Sequence, residues 1–248
     1  MITKLIIELE NPNKLIDIKS SSLFHGFLME QIDYEYGKIL HQNGWKPYTS
    51  SIVQKENSLV WEITTLNLQA KMEIIDRILN KNLNTIYLSH KKLNLNIISK
   101  EQKEISYDSL LKKYYDTKGA RHLIIHFQTP TAFKSAGKYV FLPDIRFIYQ
   151  SVMNKYDTVS EEYYIFNEEL LEEMVSCTQL LDYHLKSQRF HLEGVTIPSF
   201  TGKMKIKIHG SQKLVNLINF LMQFGTYSGI GIKTAIGMGK ISVMSLEK

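Results

Sequence analysis

Residues 2–10 alternate apolar and polar positions with the two-residue period of a β-strand. Over residues 20–42 the period becomes helical: Leu23, Phe27, Leu28 and Ile32 form one apolar face, and Ser20 to Ser22 offer an N-cap. Residues 49–54 and 58–65 read as a hairpin around Glu56-Asn57, residues 68–79 as a helix, and residues 85–88 with 94–105 as returning strand. The order is βαββαβ. A polar stretch, 106–119, holds a short helix and leads into a second half.

That half opens with a strand over 121–128, a turn at Thr129-Pro130 and a further strand over 138–142. Pro143-Asp144 starts a helix reaching Tyr156, since the first turn of a helix tolerates proline. A helix over 167–175, strands over 180–190 and 201–209, a helix over 212–224 and a strand over 240–246 complete the order, which again reduces to βαββαβ. The expected fold is α+β: two tandem ferredoxin-like, RRM-like domains, residues 1–118 and 119–248, with a C-terminal glycine-rich loop. RNA-recognition modules share this sheet architecture, but a fold alone does not give a function.

The glycine-rich loop is the most informative segment. Of the 13 glycines, Gly225, Gly229, Gly231, Gly237 and Gly239 fall between residues 225 and 239. Such a cluster suggests either a phosphate-cradling loop or a bulged hairpin. A P-loop requires glycine immediately before Lys233-Thr234, where Ile232 stands, and a dinucleotide fingerprint requires a following helix within a βαβ unit. Both patterns fail. What remains is a hairpin with Lys233 and Lys240 beside it, whose backbone amides could face phosphates.

Composition narrows the field. Net charge is +5 over 248 residues, a lean toward polyanionic partners, and the single cysteine, Cys177, excludes a disulfide framework or a cysteine-based zinc site and suits a reducing cytoplasm. The N-terminus lacks the apolar run of a signal peptide, and no apolar stretch nears the ~20 residues that span a bilayer. The expected protein is cytoplasmic, with no membrane partner. Its basic strand places Lys203, Lys205, Lys207 and His209 opposite Met204, Ile206 and Ile208, a face able to track phosphates or simply to be solvated. Lys134, Lys138, Arg146, Lys186 and Arg189 add charge near it. His122 and His126, four residues apart on a strand, would lie about 13 Å apart, too far to share a metal ion. No metal and no cofactor are expected.

Several motifs together carry a resemblance: Leu23-Phe24-His25-Gly26-Phe27-Leu28-Met29 with Leu40-His41; Thr129-Pro130-Thr131-Ala132-Phe133-Lys134 with Pro143-Asp144; Pro198-Ser199-Phe200-Thr201-Gly202; and Tyr227-Ser228-Gly229-Ile230-Gly231-Ile232-Lys233-Thr234 with Gly237-Met238-Gly239. In this order and spacing, over nearly the whole chain, they resemble the CRISPR-associated endoribonucleases of the RAMP superfamily that cut repeat RNA, above all members accompanying type III-A systems. The resemblance implies metal-independent cleavage of precursor crRNA within its repeats and a glycine-rich loop that binds RNA, through Gly229, Gly231, Gly237 and Gly239 with Lys233 and Lys240. It also implies transient handover of the product to a type III-A effector complex. A homodimer is compatible with the pattern.

Metal-free RNA cleavage uses the 2'-hydroxyl as nucleophile and leaves 2',3'-cyclic phosphate and 5'-hydroxyl ends. It needs an acid, a base and a cation, and histidine suits the first two because both its protonation states are accessible near neutrality. His41, where the family places a catalytic histidine at a helix end, is the first candidate; its alternative is a histidine settled on the helix dipole. Lys46, in the loop 42–46, corresponds to a lysine that supports catalysis in some relatives. His25 is a second acid or base, or an RNA contact, or structural: on one continuous helix it would stand about 24 Å from His41, unless Asp33 and Gly37 break that helix. Tyr34, Tyr36 and Tyr48 could orient a ribose or phosphate, or pack. The competing function is a noncatalytic RNA-binding subunit of a CRISPR ribonucleoprotein, separated from the enzyme by whether repeat RNA is cut or only bound.

Overall fold

The structure, a computed structural model, describes residues 1–17, 20–42, 44–160, 164–192 and 194–246, and of Asn13 the backbone only. Two compact units emerge: Met1–Ile105 with Thr234–Gly237, and Ser106–Lys233 with Met238–Lys248. Among the described residues no helix is long and apolar enough to cross a membrane.

The first unit runs β1 (Ile2–Glu10), α1 (Ser21–Gln31), α2 (Tyr34–Gln42), β2 (Tyr48–Gln54), β3 (Ser58–Thr65), α3 (Leu68–Ala70), a π-helical stretch Lys71–Asp76, α4 (Arg77–Asn80), β4 (Thr85–Leu88) and β5 (Leu93–Ile105). Its antiparallel sheet has the order β2-β3-β1-β5-β4. The first four strands in that order give the ferredoxin-like arrangement of two interleaved βαβ units. The returning strand is a hairpin, β4 paired with β5, which adds a fifth member. Strand alternation sends Leu5, Ile7 and Leu9 into the core, where Trp61 of β3 packs on Phe24 at 5.2 Å and Phe27 at 5.9 Å between ring centroids.

The helix expected over 20–42 is two helices. Ile32 is extended (ψ 166°), and the Asp33 carboxylate accepts the amides of Glu35 at 2.9 Å and Tyr36 at 3.3 Å. Asp33 therefore caps α2, satisfying amides that a continuous helix would have satisfied with backbone carbonyls. His25 and His41 therefore stand on two separate helices and not on one continuous rod.

The second unit runs α5 (Tyr107–Tyr114), β6 (His122–Thr131), β7 (Phe133–Ser135), β8 (Lys138–Val140), α6 (Ile145–Val159), α7 (Glu168–Ser176), β9 (Thr178–Leu192), β10 (Val195–Ile208), α8 (Gln212–Ser228) and β11 (Ile241–Ser245). Its main sheet, β11-β6-β10-β9, is antiparallel and ferredoxin-like; β7 and β8 form a separate ribbon. Leu123, Ile125 and Phe127 of β6 and Met204, Ile206 and Ile208 of β10 face the core, while α6 and α8 pack together through Tyr156, whose ring lies 5.4 Å from Phe220 and 5.5 Å from Phe224.

Two expectations here are corrected. Thr129-Pro130 is no turn: β6 continues through it to Thr131, and the pairing with β10 skips from Phe127↔Gly202 to Thr131↔Phe200, a bulge that absorbs the proline. The glycine-rich segment is no hairpin. α8 runs past Gly225 to Ser228 and stops at Gly229, whose φ of 65° is the left-handed geometry that favours glycine after a helix end.

Candidate functional site

Four residues of the first unit form a linked set. His25 lies on α1, half-buried, and its Nδ1 stands 3.2 Å from the hydroxyl of Tyr48, the first residue of β2. The two rings are nearly parallel (15°) with centroids 6.5 Å apart. Two residues before Tyr48, the Lys46 ammonium donates to the carbonyl of Leu40 in the last turn of α2. A cation there also meets the negative end of the helix dipole. His41, the next residue, is exposed. Thus Tyr48 and Lys46 tie the start of β2 to both helices that carry the histidines; Asn43, in the loop between α2 and β2, lies outside the described residues.

Tyr48 is fully buried, and burial first, with Tyr36 nearby second, pushes its phenol well above the usual range. It therefore stays a neutral hydroxyl at physiological pH. A hydroxyl can donate to unprotonated Nδ1 or accept from Nδ1–H, so it serves either protonation state of His25. Tyr36 is likewise raised, to about 12, by burial and then by Glu73; its hydroxyl has no partner among the described residues. Tyr34 is largely exposed beneath the Lys38 ammonium, 4.3 Å from its ring centroid.

In the second unit, Lys203, Lys205 and Lys207 share the open face of β10, opposite its buried Met204, Ile206 and Ile208. Register sets His126 and His184 on either side of Lys203, Ile124 and Asp182 beside Lys205, and His122 and Gln179 beside Lys207. Partial burial, and then the Lys203 charge, lower the pKa of His126. His122 and His126 point the same way with Ile124 between them, and among the described residues no three His, Cys, Asp or Glu side chains are grouped to hold a metal ion. Lys134, Lys138, Lys186, Arg189 and His209 are exposed. Arg146 is engaged within the protein: its guanidinium is ion-paired with Glu168 and Glu172, linking α7 to α6, and those carboxylates raise its pKa.

The glycine-rich loop is a packed turn. The Ile230 amide donates to Gly239 O (2.8 Å), Ile232 to Ala132 O (3.0 Å), Gly239 to Pro130 O (2.9 Å) and Lys240 to Thr129 Oγ1 (2.9 Å). The bulge in β6 is what turns Thr129 and Pro130 toward these donors. Gly229, Gly237 and Gly239 are buried. Thr234–Gly237 belongs to the first unit, where Ala235 joins the core and Gly237 lies against Ser21 at the start of α1. The glycines thus shape and pack the loop more than they expose amides, while Lys233, at φ 57°, is exposed.

Sequence reading missed Ser151 and Lys155 of α6, which hold this loop from beneath. The signal was present: Lys155 shares a helical stripe with buried Ile148, Val152 and Tyr156.

Residues 125–241 match the sequence profile of the CRISPR-associated endoribonuclease Cas6 family. The chain is 34% identical over 226 residues to the Cas6 endoribonuclease of Streptococcus thermophilus, covering 89% of each, and 30% identical over 227 residues to that of Mycobacterium tuberculosis, covering 90% of this chain and 71% of the relative. Among solved structures, a Cas6 product complex is similar with a TM-score of 0.81 at 18% identity over 99% of this chain and 100% of that one. Thermus thermophilus Cas6 gives 0.72 at 20% identity, with 98% of each covered. These structures speak to the tandem ferredoxin-like fold, and the identity across nine-tenths of the chain speaks to descent: the chain belongs to the Cas6 family of CRISPR-associated endoribonucleases.

Proposed function

We propose that this chain cuts precursor crRNA within its CRISPR repeats without a metal ion. The ribose 2'-oxygen attacks the adjacent phosphorus, the P–O5' bond breaks, and the products carry a 2',3'-cyclic phosphate and a 5'-hydroxyl. His41 moves a proton to or from the reacting oxygens, Lys46 offsets the charge that builds on the phosphoryl oxygens, and His25, steadied by Tyr48, is the second acid, base or RNA contact. The observation that carries this reading is the linkage of Lys46 to Leu40 and of Tyr48 to His25, which ties the His25 imidazole, the end of the helix that bears His41, and a cation to the start of one strand. The open face of β10, with Lys203, Lys205 and Lys207, together with Lys134 of β7 and the loop cations Lys233 and Lys240, tracks the RNA backbone. Product and substrate-mimic complexes exist for structurally similar Cas6 proteins, which supports an RNA ligand here. Passage of the product to a type III-A effector complex, and a homodimer, complete the proposal.

The test is a repeat RNA with a single 2'-deoxynucleotide on the 5' side of the cut. It should bind as the all-ribose RNA does and resist cleavage, and His41→Ala should slow cleavage of the all-ribose RNA by about 10²- to 10⁴-fold. Cutting of the deoxy substrate overturns the 2'-hydroxyl mechanism; undiminished cutting by His41→Ala overturns the residue assignment.

A further inference from the structure

Ser151 and Lys155 stand one turn apart on α6 and so on one face of it. Ser151 Oγ accepts the amide of Gly231 at 2.8 Å. Lys155 Nζ, 7% exposed as a residue, donates to the carbonyls of Ser228 at 3.2 Å and Gly229 at 3.0 Å, where α8 ends. Among the described residues no carboxylate pairs with it. The backbone leaving α8 is steered in the same few residues by Gly229 at φ 65° and Gly231 at φ 78°, and a Cβ on Gly231 would lie 2.2 Å from Ala132 O.

A lone lysine is a poor choice for core stability. Removing an ammonium from water is costly, and here burial pushes its pKa down to about 7. A methionine would fill similar volume without that penalty. What methionine could not do is bind two adjacent carbonyls at a helix end and thereby fix the direction in which the chain departs. Ser151 fixes the next step at Gly231, two residues before exposed Lys233.

We infer that Ser151 and Lys155 are positioning residues for RNA recognition: together they latch the first half of the glycine-rich loop so that Lys233 is held out toward a phosphate. The inference rests on the reading above that this loop is part of the RNA surface. Neither latch residue touches RNA, and neither contributes charge to the surface.

The experiment measures repeat-RNA affinity, the RNA-competent fraction and the cleavage rate at saturating RNA for Ser151→Ala, Lys155→Met, Lys233→Ala and the Ser151→Ala/Lys233→Ala pair. Each latch variant should raise Kd about 5- to 30-fold, the equivalent of one lost phosphate contact, and leave the saturating rate within about twofold. Ser151→Ala removes no charge, yet it should flatten the salt dependence of Kd by about one unit, as Lys233→Ala does. The double variant should bind no worse than the weaker single variant, because both lose the same contact. If Lys233→Ala weakens binding but Ser151→Ala changes neither Kd nor salt slope, the latch is refuted and the loop remains an RNA surface. If none of the variants changes Kd, the loop reading falls with it. Ser151→Ala decides the matter even if Lys155→Met fails to fold, since it deletes only a half-buried hydroxyl.

Discussion

Gly237→Ala discriminates between a glycine that meets RNA and a glycine that packs. At φ 112° the backbone of Gly237 is in a region that side chains rarely adopt, and a Cβ there would stand 2.3 Å from Ser21 Cβ and 2.6 Å from Ser21 Oγ. Ordinary carbon contacts lie near 3.5–4.0 Å. Overpacking of this kind costs about 1–3 kcal/mol and backbone strain about another 1–3, so Gly237→Ala should destabilise the first unit by roughly 2–6 kcal/mol. Against a typical total of about 5–15 kcal/mol that is a severe loss. Adding Ser21→Gly removes the obstructing atoms and should restore the packing share, about 1–3 kcal/mol, while the φ strain persists. Both tryptophans, Trp45 and Trp61, lie in the first unit, and Trp61 packs on Phe24 and Phe27 of the helix that Ser21 begins, so urea titration followed by tryptophan fluorescence reads the right transition. If Gly237→Ala unfolds within about 0.5 kcal/mol of the parent but binds repeat RNA weakly, or if Ser21→Gly rescues nothing, the packing argument is wrong.

Three further outcomes follow from particular contacts. Tyr48→Phe deletes the hydroxyl on His25 Nδ1 and should slow cleavage at saturating RNA by about 2- to 12-fold, the worth of one hydrogen bond, with Kd unchanged; an unaltered rate means that His25 is not in the chemistry. Arg146→Ala should leave RNA affinity and its salt slope as they are, because that guanidinium is occupied by Glu168 and Glu172; a tenfold loss of affinity would restore it to the RNA face. Lys155 has a folded pKa near 7, below its ordinary 10.5, so between about pH 7 and pH 10.5 the unfolded chain binds more protons and stability contributed by this residue rises with pH. Thermal unfolding across that range should show a rise that Lys155→Met lacks; equal slopes in the two proteins would contradict the burial of this ammonium away from water.

The alternation of β1 and the lysine-isoleucine alternation of β10 were legible because each strand has one face in a core and one outside, so sequence period and burial coincide. The break after α1 was readable only as a permission: Asp33 marks it, but whether a carboxylate caps a new helix or faces solvent depends on the chain that follows. Thr129-Pro130 misled because proline in a strand usually means a turn, whereas here a bulge absorbs it and the Gly239 amide donates to its carbonyl. The glycines were visible and their job was not, since close packing on Ser21 or Ala132 is a property of the partner surface. In the candidate site, His25, His41 and Lys46 were found as residue types at suggestive positions. The partner that steadies His25, the carbonyl that Lys46 holds and the two glutamates that occupy Arg146 are tertiary facts.

The central claim, metal-free cleavage served by residues of the first unit, is met most directly by one measurement: single-turnover cleavage of end-labelled repeat RNA in EDTA, with analysis of the new 3' end, for the parent protein and His41→Ala. The account predicts undiminished cutting by the parent, a 2',3'-cyclic phosphate on the product, and near-complete loss in His41→Ala with RNA still bound. Cleavage that stops in EDTA and returns with magnesium, or a product bearing a 3'-hydroxyl, would contradict it.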